Sequence, residues 1–146
     1  MEKPYNQNFE NHGRVVPGYH YVTFGILAIN FLWSAYRAVR AFSMETVIAL
    51  LLAVAFILMF FYARIFALTV QDRTIRLEMQ LLMERLLPAD LKARIGEFTI
   101  DQLVSLRFAG DDELPELVRK VLDEKLNDRK VIKRMIKNWK PDFLRV

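Results

Sequence analysis

Residues 46–63, TVIALLLAVAFILMFFYA, form an apolar run without charge, Gly or Pro, and this run constrains the whole chain. At about 1.5 Å of rise per residue, roughly 20 helical residues cross a hydrocarbon core, where only a helix or closed barrel satisfies its own backbone. Thr46 and Tyr62 are its only polar side chains. Every face must therefore meet lipid or apolar protein, and the run by itself offers no ion path or proton relay.

A first apolar block precedes it. Residues 19–36, YHYVTFGILAINFLWSAY, carry no formal charge, and the uncharged stretch reaches back to Val15. Pro17 suits a helix start, because its missing N–H would have had no intrahelical partner. Tyr19 at one end and Trp33 and Tyr36 at the other read as interfacial anchors. Asn30 is the one amide inside and needs a backbone group or a neighbouring helix as partner. The connection, residues 37–45, is short, so the two spans are predicted to form a helical hairpin with both chain ends on one side. Ser43 is expected to accept from the backbone N–H of Glu45 or Thr46, and Glu45 suits the positive end of the second helix. Lys3, Arg14, Arg64, Arg73 and Arg76 flank the terminal side, whereas Arg37 and Arg40 flank the turn. That bias places both termini in the cytoplasm. Residues 1–18 are polar and Asn-rich, lack a short positive n-region, and are expected to be irregular ahead of a retained anchor.

The remainder is of different composition: 17 of the 21 Lys and Arg lie from Arg64 onward, with 14 acids among them, a net of +3. Arg64 can snorkel while the helix carries on, and Leu68, Ile75, Met79, Leu82 and Leu86 mark one helical stripe as far as Leu87, before Pro88. The predicted fold is thus all-α, a two-helix transmembrane hairpin with a cytoplasmic helical C-terminal tail. It comprises an N-terminal segment 1–18, a hairpin 19–63 with spans 19–36 and 46–63, a continuing helix 64–87, and a helical domain 88–146.

Punctuation divides that domain. Pro88 opens a segment ended by Gly96. Thr99 and Gln102 have capping-box spacing, with Phe98 and Leu103 as the staple, and Gly110 is expected to take a left-handed cap after a helix reaching Ala109. Pro115 belongs in a first turn. Leu114, Val118, Val121, Leu122 and Leu126 are the buried face of that helix. Asn127 or Asp128 caps a last helix with apolar side Val131, Ile132, Met135, Ile136 and Trp139, running to Pro141.

No catalytic constellation emerges. With no cysteine there is no thiol nucleophile or thiolate metal site. His12 and His20 are the only histidines and candidate ligands for a metal, haem or pigment, but a structural metal site needs more nitrogen or sulfur donors; no cofactor is expected. Asp111, Asp112, Glu113 and Glu116 read as capping and solvated acids, with no nucleophile beside them. Arg129, Lys130, Lys133, Arg134, Lys137 and Lys140 form an acid-free basic patch, a candidate for anionic lipid or an acidic partner. Base-reading residues cannot be assigned, and nucleic acid is not an expected partner.

The blocks NFENHGRVVPGYHYVT, VQDRTIRLEMQLLMERLLPADL, LVSLRFAGDDELPELV and IKNWKPDFLRV resemble a family of small bacterial two-span membrane proteins of unknown function, DUF6526. The resemblance implies a bacterial inner-membrane protein of this form and brings no activity or site residue. The reading is a non-enzymatic accessory or structural subunit, or assembly factor, of a larger membrane complex. Its partners would be membrane lipids and other membrane-protein subunits, and a homo-oligomer is compatible. The alternative is a membrane-tethered sensor or regulator acting through the basic C-terminal helix.

Overall fold

The computed structural model describes residues 7–142; Lys3 and residues 143–146 lie outside the described part. Among the described residues the chain is all-helical, with one isolated antiparallel bridge between Ala109 and Trp139. It divides into two units. One is Arg14–Leu68; the other combines residues 7–13 with the chain from Thr69 onward.

In the first unit the chain enters a helix at Pro17, makes a π-helical turn over Gly18–Thr23 and continues as α1, Phe24–Arg40. Thr23 donates its hydroxyl to the Gly18 carbonyl at 2.9 Å, which satisfies that group inside the wide turn. Residues 41–43 reverse the chain. The second helix, α2, spans Met44–Leu86, 43 residues without a break. Its start is closed reciprocally: the Thr46 N–H donates to Ser43 Oγ at 3.3 Å and the Ser43 N–H donates to Thr46 Oγ1 at 3.0 Å. This is the N-terminal cap expected from Ser43, extended by the Thr46 hydroxyl. Two helical stretches, Gly18–Arg40 and Met44–Leu86, are long and apolar enough to cross a membrane.

In the second unit, Ile75, Met79, Met83 and Leu87 recur every fourth residue along and just beyond the end of α2 and enter a core. The expected stripe was rotated slightly: Met83 and Leu87 are buried, whereas Leu82 and Leu86 are only partly covered. A chain of short elements supplies the other side, namely α3 (Ala89–Lys92), a 3-10 turn Ile95–Glu97, α4 (Ile100–Leu106), α5 (Leu114–Asp123) and α6 (Arg129–Arg134). Helices this short are marginal alone in water, where about 12–15 residues are needed, so packing rather than propensity holds them. Leu106, Leu114, Val118, Val121 and Ile132 are essentially inaccessible to solvent. On the surface Arg94 is shared by Glu97 and Asp123; the hydrogen bond it donates to Glu97, then that to Asp123, raises its already high pKa and keeps it charged.

The caps follow the sequence closely. Thr99 and Gln102 form a complete capping box, with the Gln102 side chain accepting from the Thr99 N–H at 2.8 Å. Asp128 caps α6, accepting from the Lys130 N–H at 2.6 Å, while Asn127 accepts from Gln102 Nε2 at 3.2 Å. Pro115 sits in the first turn of α5. We expect Thr99→Ala to cost about 1 kcal/mol, read by thermal unfolding of the full chain in micelles.

Other expectations are corrected. Gly110 is not left-handed; among the described residues the one with positive φ is Lys125, at 50°. It closes α5 in a Schellman arrangement, the Leu126 N–H donating to the Val121 carbonyl at 3.0 Å and the Lys125 N–H to the Leu122 carbonyl at 3.3 Å. The glycine at 110 answers a demand for space instead. A Cβ there would stand 3.1 Å from both the Asn138 carbonyl oxygen and its Cβ. Helix α4 ends at Leu106, short of Ala109. Helix α6 ends at Arg134 rather than near Pro141, and Val131 is 41% exposed rather than buried.

Candidate functional site

Two places bring polar chemistry together, one in each unit. The first is built around residues 7–12. The described residues ahead of Pro17 hold only turn and coil, as expected, and within them the Asn8 side chain accepts from the backbone N–H groups of Glu10 at 2.9 Å and Asn11 at 3.2 Å, an Asx turn. The turn presents Phe9 and His12 to the C-terminal residues. The His12 ring lies 5.7 Å from both Phe108 and Trp139. Phe108 and Trp139 stack with centroids 4.7 Å apart. Lys133 Nζ donates to His12 Nε2 at 3.0 Å, which leaves the proton on Nδ1 to be donated to the Phe9 carbonyl at 2.6 Å. That tautomer follows from the network, because an ammonium has no acceptor. Both nitrogens of the ring are therefore engaged within this unit. Gln7 completes the clasp: its Oε1 accepts from the Asp142 N–H at 2.9 Å, and its Nε2 donates to the Asp142 carbonyl at 3.2 Å.

The six basic residues of the C-terminal patch are spread over this surface with different employment. Arg129 pairs with Asp101, and Lys140 with Asp111 at 3.1 Å. The Arg134 guanidinium lies 5.2 Å above the Phe9 ring and Lys133 Nζ lies 5.2 Å from that of Phe108. Lys130 and Lys137 have exposed side chains. The helix that was to align them stops after Arg134, so they do not form one helical face. Of the acids, Glu113 accepts from the backbone N–H groups of Asn138 at 2.9 Å, Lys137 at 3.0 Å and Gly110 at 3.4 Å. Asp111 takes Lys140 and, at 3.6 Å, Arg85. Both are structural ties rather than a poised acid–base pair. Beside them a groove of about 410 Å³ is lined by Ile75, Met79, Leu82, Glu78, Arg107 and Asp142, the last two ion-paired at 3.3 Å.

A family of unknown function, DUF6526, has a model that matches residues 1–146. The chain belongs to the DUF6526 family. No curated protein and no solved structure matches it.

The second place in this DUF6526 chain is in the hairpin unit. A groove of about 300 Å³ between α1 and α2 is lined by Ile26, Leu27, Asn30, Ser34, Ala49, Leu52 and Phe56. Ser34 and Thr46 are buried where the two helices meet, whereas Asn30 is exposed. The expected interfacial anchors are distributed over this unit and the length of α2. The Tyr19 ring stacks on Phe60 at 4.2 Å and its hydroxyl donates to the Phe60 carbonyl at 2.5 Å. Trp33 and Tyr36 stack at 5.7 Å, and Arg37 lines a small cleft with Trp33 and Glu45. Arg40 ends α1 and is exposed; Arg64, Arg73 and Arg76 lie along α2, the last two exposed. His20 Nδ1 accepts from the Val16 N–H at 3.1 Å, a bond within its own helix start. Among the described residues no group of three or more His, Asp or Glu is placed to hold a metal ion.

Sequence reasoning missed the clasp at residues 7–12. Its signal was present in the spacing of Phe9 and His12, two rings three residues apart inside an otherwise polar segment.

Proposed function

We propose that this DUF6526 protein is a non-catalytic subunit or assembly factor of a larger complex in the bacterial inner membrane. The hairpin lies in the bilayer with both termini in the cytoplasm. The observation that carries the reading is exposure: only 6% and 11% of the two most apolar helical windows are buried. Val22, Ile26, Ile29, Leu32, Leu51 and Leu58 all stand outward. Soluble monomers rarely leave contiguous apolar patches larger than a few hundred Å² in water. A bilayer removes that cost, and two helices with outward apolar faces can dock on partner helices.

The unit from Thr69 onward supports a docking role over a chemical one, because Asp90, Asp101, Asp111, Asp123 and Asp142 pair with basic side chains while Glu113 and Asp128 accept from backbone N–H groups. The regulator reading, in which a free basic helix moves between lipid and partner, has less support now that Arg129, Lys133, Arg134 and Lys140 have internal contacts. The deciding experiment is purification of the tagged full-length chain from membranes in a gentle detergent. We expect other integral membrane polypeptides to accompany it at a fixed ratio through two orthogonal columns. Recovery of the chain with no other polypeptide would overturn the subunit reading.

A further inference from the structure

Asn30 poses a problem that the hairpin does not solve internally. It sits near the middle of the helical stretch Gly18–Arg40, about 15 Å along the axis from Arg40 at 1.5 Å per residue. Its carboxamide makes no hydrogen bond with any described residue, yet it is exposed. Three hydroxyls of the same unit are handled locally: Thr23 bonds Gly18, Tyr19 bonds Phe60, and Thr46 bonds Ala41 and Ser43; Ser34, buried one turn from Asn30, is withdrawn from the outer face. In hydrocarbon an amide without a partner costs several kcal/mol. Helices in lipid gain no hydrophobic driving force on association, so close packing and interhelical hydrogen bonds decide it, and an amide of this kind can supply the second.

We propose that the Asn30 face of the hairpin is the seat of a second copy of this chain, with the two Asn30 carboxamides hydrogen-bonded to each other across a two-fold axis. This rests on the membrane reading above. The chemistry selects the occupant. A primary amide carries a donor and an acceptor in one plane, so it satisfies an identical amide in both directions. A two-fold interface requires such self-complementarity, because each residue near the axis meets its own copy. The surroundings agree: Ile26, Leu27, Leu52 and Phe56 give the groove an apolar wall, with no charged side chain on its lining. A partner presenting Ile26 and Asn30 from the same α1 face offers the groove apolar atoms to fill it and one amide to answer one amide.

The chain has no cysteine, so single cysteines report proximity without further engineering. Full-length protein is reconstituted in phospholipid vesicles and first washed with alkaline carbonate. Ile26→Cys lies one helical turn from Asn30 on the same face; Leu32→Cys is exposed at similar depth but about 200° around the helix. Mild oxidation should link Ile26→Cys into dimers and leave Leu32→Cys monomeric. Asn30→Leu should weaken association about ten-fold, measured by energy transfer between labelled copies, and Asn30→Gln, which keeps the amide, should retain it. Unchanged association in Asn30→Leu, equal cross-linking at both cysteines, or a monomer that survives the wash would each overturn the proposal while leaving the membrane reading intact. Release by the wash would overturn both.

Discussion

Phe108→Ala is expected to destabilise the unit containing Thr69 onward by about 3–5 kcal/mol, the range for removing a fully buried aromatic ring. The ring is 0% exposed. It is stacked on Trp139, edge-on to His12, and approached by the Arg107 guanidinium at 4.7 Å. Alanine removes the surface against which residues 7–12 rest, and nothing nearby is free to collapse into the space, because the Phe108 carbonyl still receives the Lys140 N–H at 2.7 Å. The loss should therefore be larger than burial of the ring alone would give. It should also be local in its dynamics: amide exchange at residues 7–13 and 137–142 should rise before that of α5. Trp139 emission in a Trp33→Phe background follows unfolding of the full chain in micelles, and hydrogen exchange locates the loosening. A cost below about 1 kcal/mol, with residues 7–13 still protected, would show that the ring does not organise the clasp.

The parts of the fold that could be read from the sequence are those decided within a few residues. Ser43, Thr99 and Asp128 cap helices because a side-chain oxygen reaches a backbone N–H two or three positions on, a relation that a sequence displays directly. The unbroken α2 was equally readable, since no Gly or Pro interrupts residues 44–87. What failed was decided at long range. Helix α6 has the apolar period to continue, but the N–H groups of Lys137 and Asn138 are taken by Glu113, and Gly110 and Lys140 exchange backbone bonds with Asn138 and Phe108. Gly110 looked like a cap because glycine is the common left-handed residue; the left-handed cap is instead at Lys125, one helix further on at the end of α5, and the glycine admits the Asn138 backbone. His12 was the same kind of miss. Its bond to Lys133 joins residues 121 positions apart, and no local pattern announces such a contact. Asn30 is the opposite case: the sequence identified an amide in need of a partner, and the geometry shows that the hairpin does not provide one.

Glu113→Ala is expected to cost about 1.5–3 kcal/mol, the value of hydrogen bonds made to a charged acceptor. One carboxylate collects three backbone N–H groups, from Gly110, Lys137 and Asn138, and so ties the start of α5 to the segment that follows α6. Of the three, those of Lys137 and Asn138 have no helical partners, because α6 has already ended, and that of Gly110 is shared with the Asn138 carbonyl at 2.8 Å. Two of them belong to exposed residues, so water can replace part of the loss, which keeps the expected cost below that of Phe108→Ala. Glu113→Gln separates charge from geometry. The amide oxygen can still accept, but it is a weaker acceptor and its NH2 faces donors, so about half the loss should appear. The structural signature should be continuation of α6: once Lys137 and Asn138 are released, their N–H groups can return to the carbonyls of Lys133 and Arg134, and helicity should extend past residue 135. Amide exchange and helical chemical shifts over residues 133–139 would record it. A variant that loses stability without gaining helix there would mean that the Ala109–Trp139 bridge, rather than Glu113, stops α6.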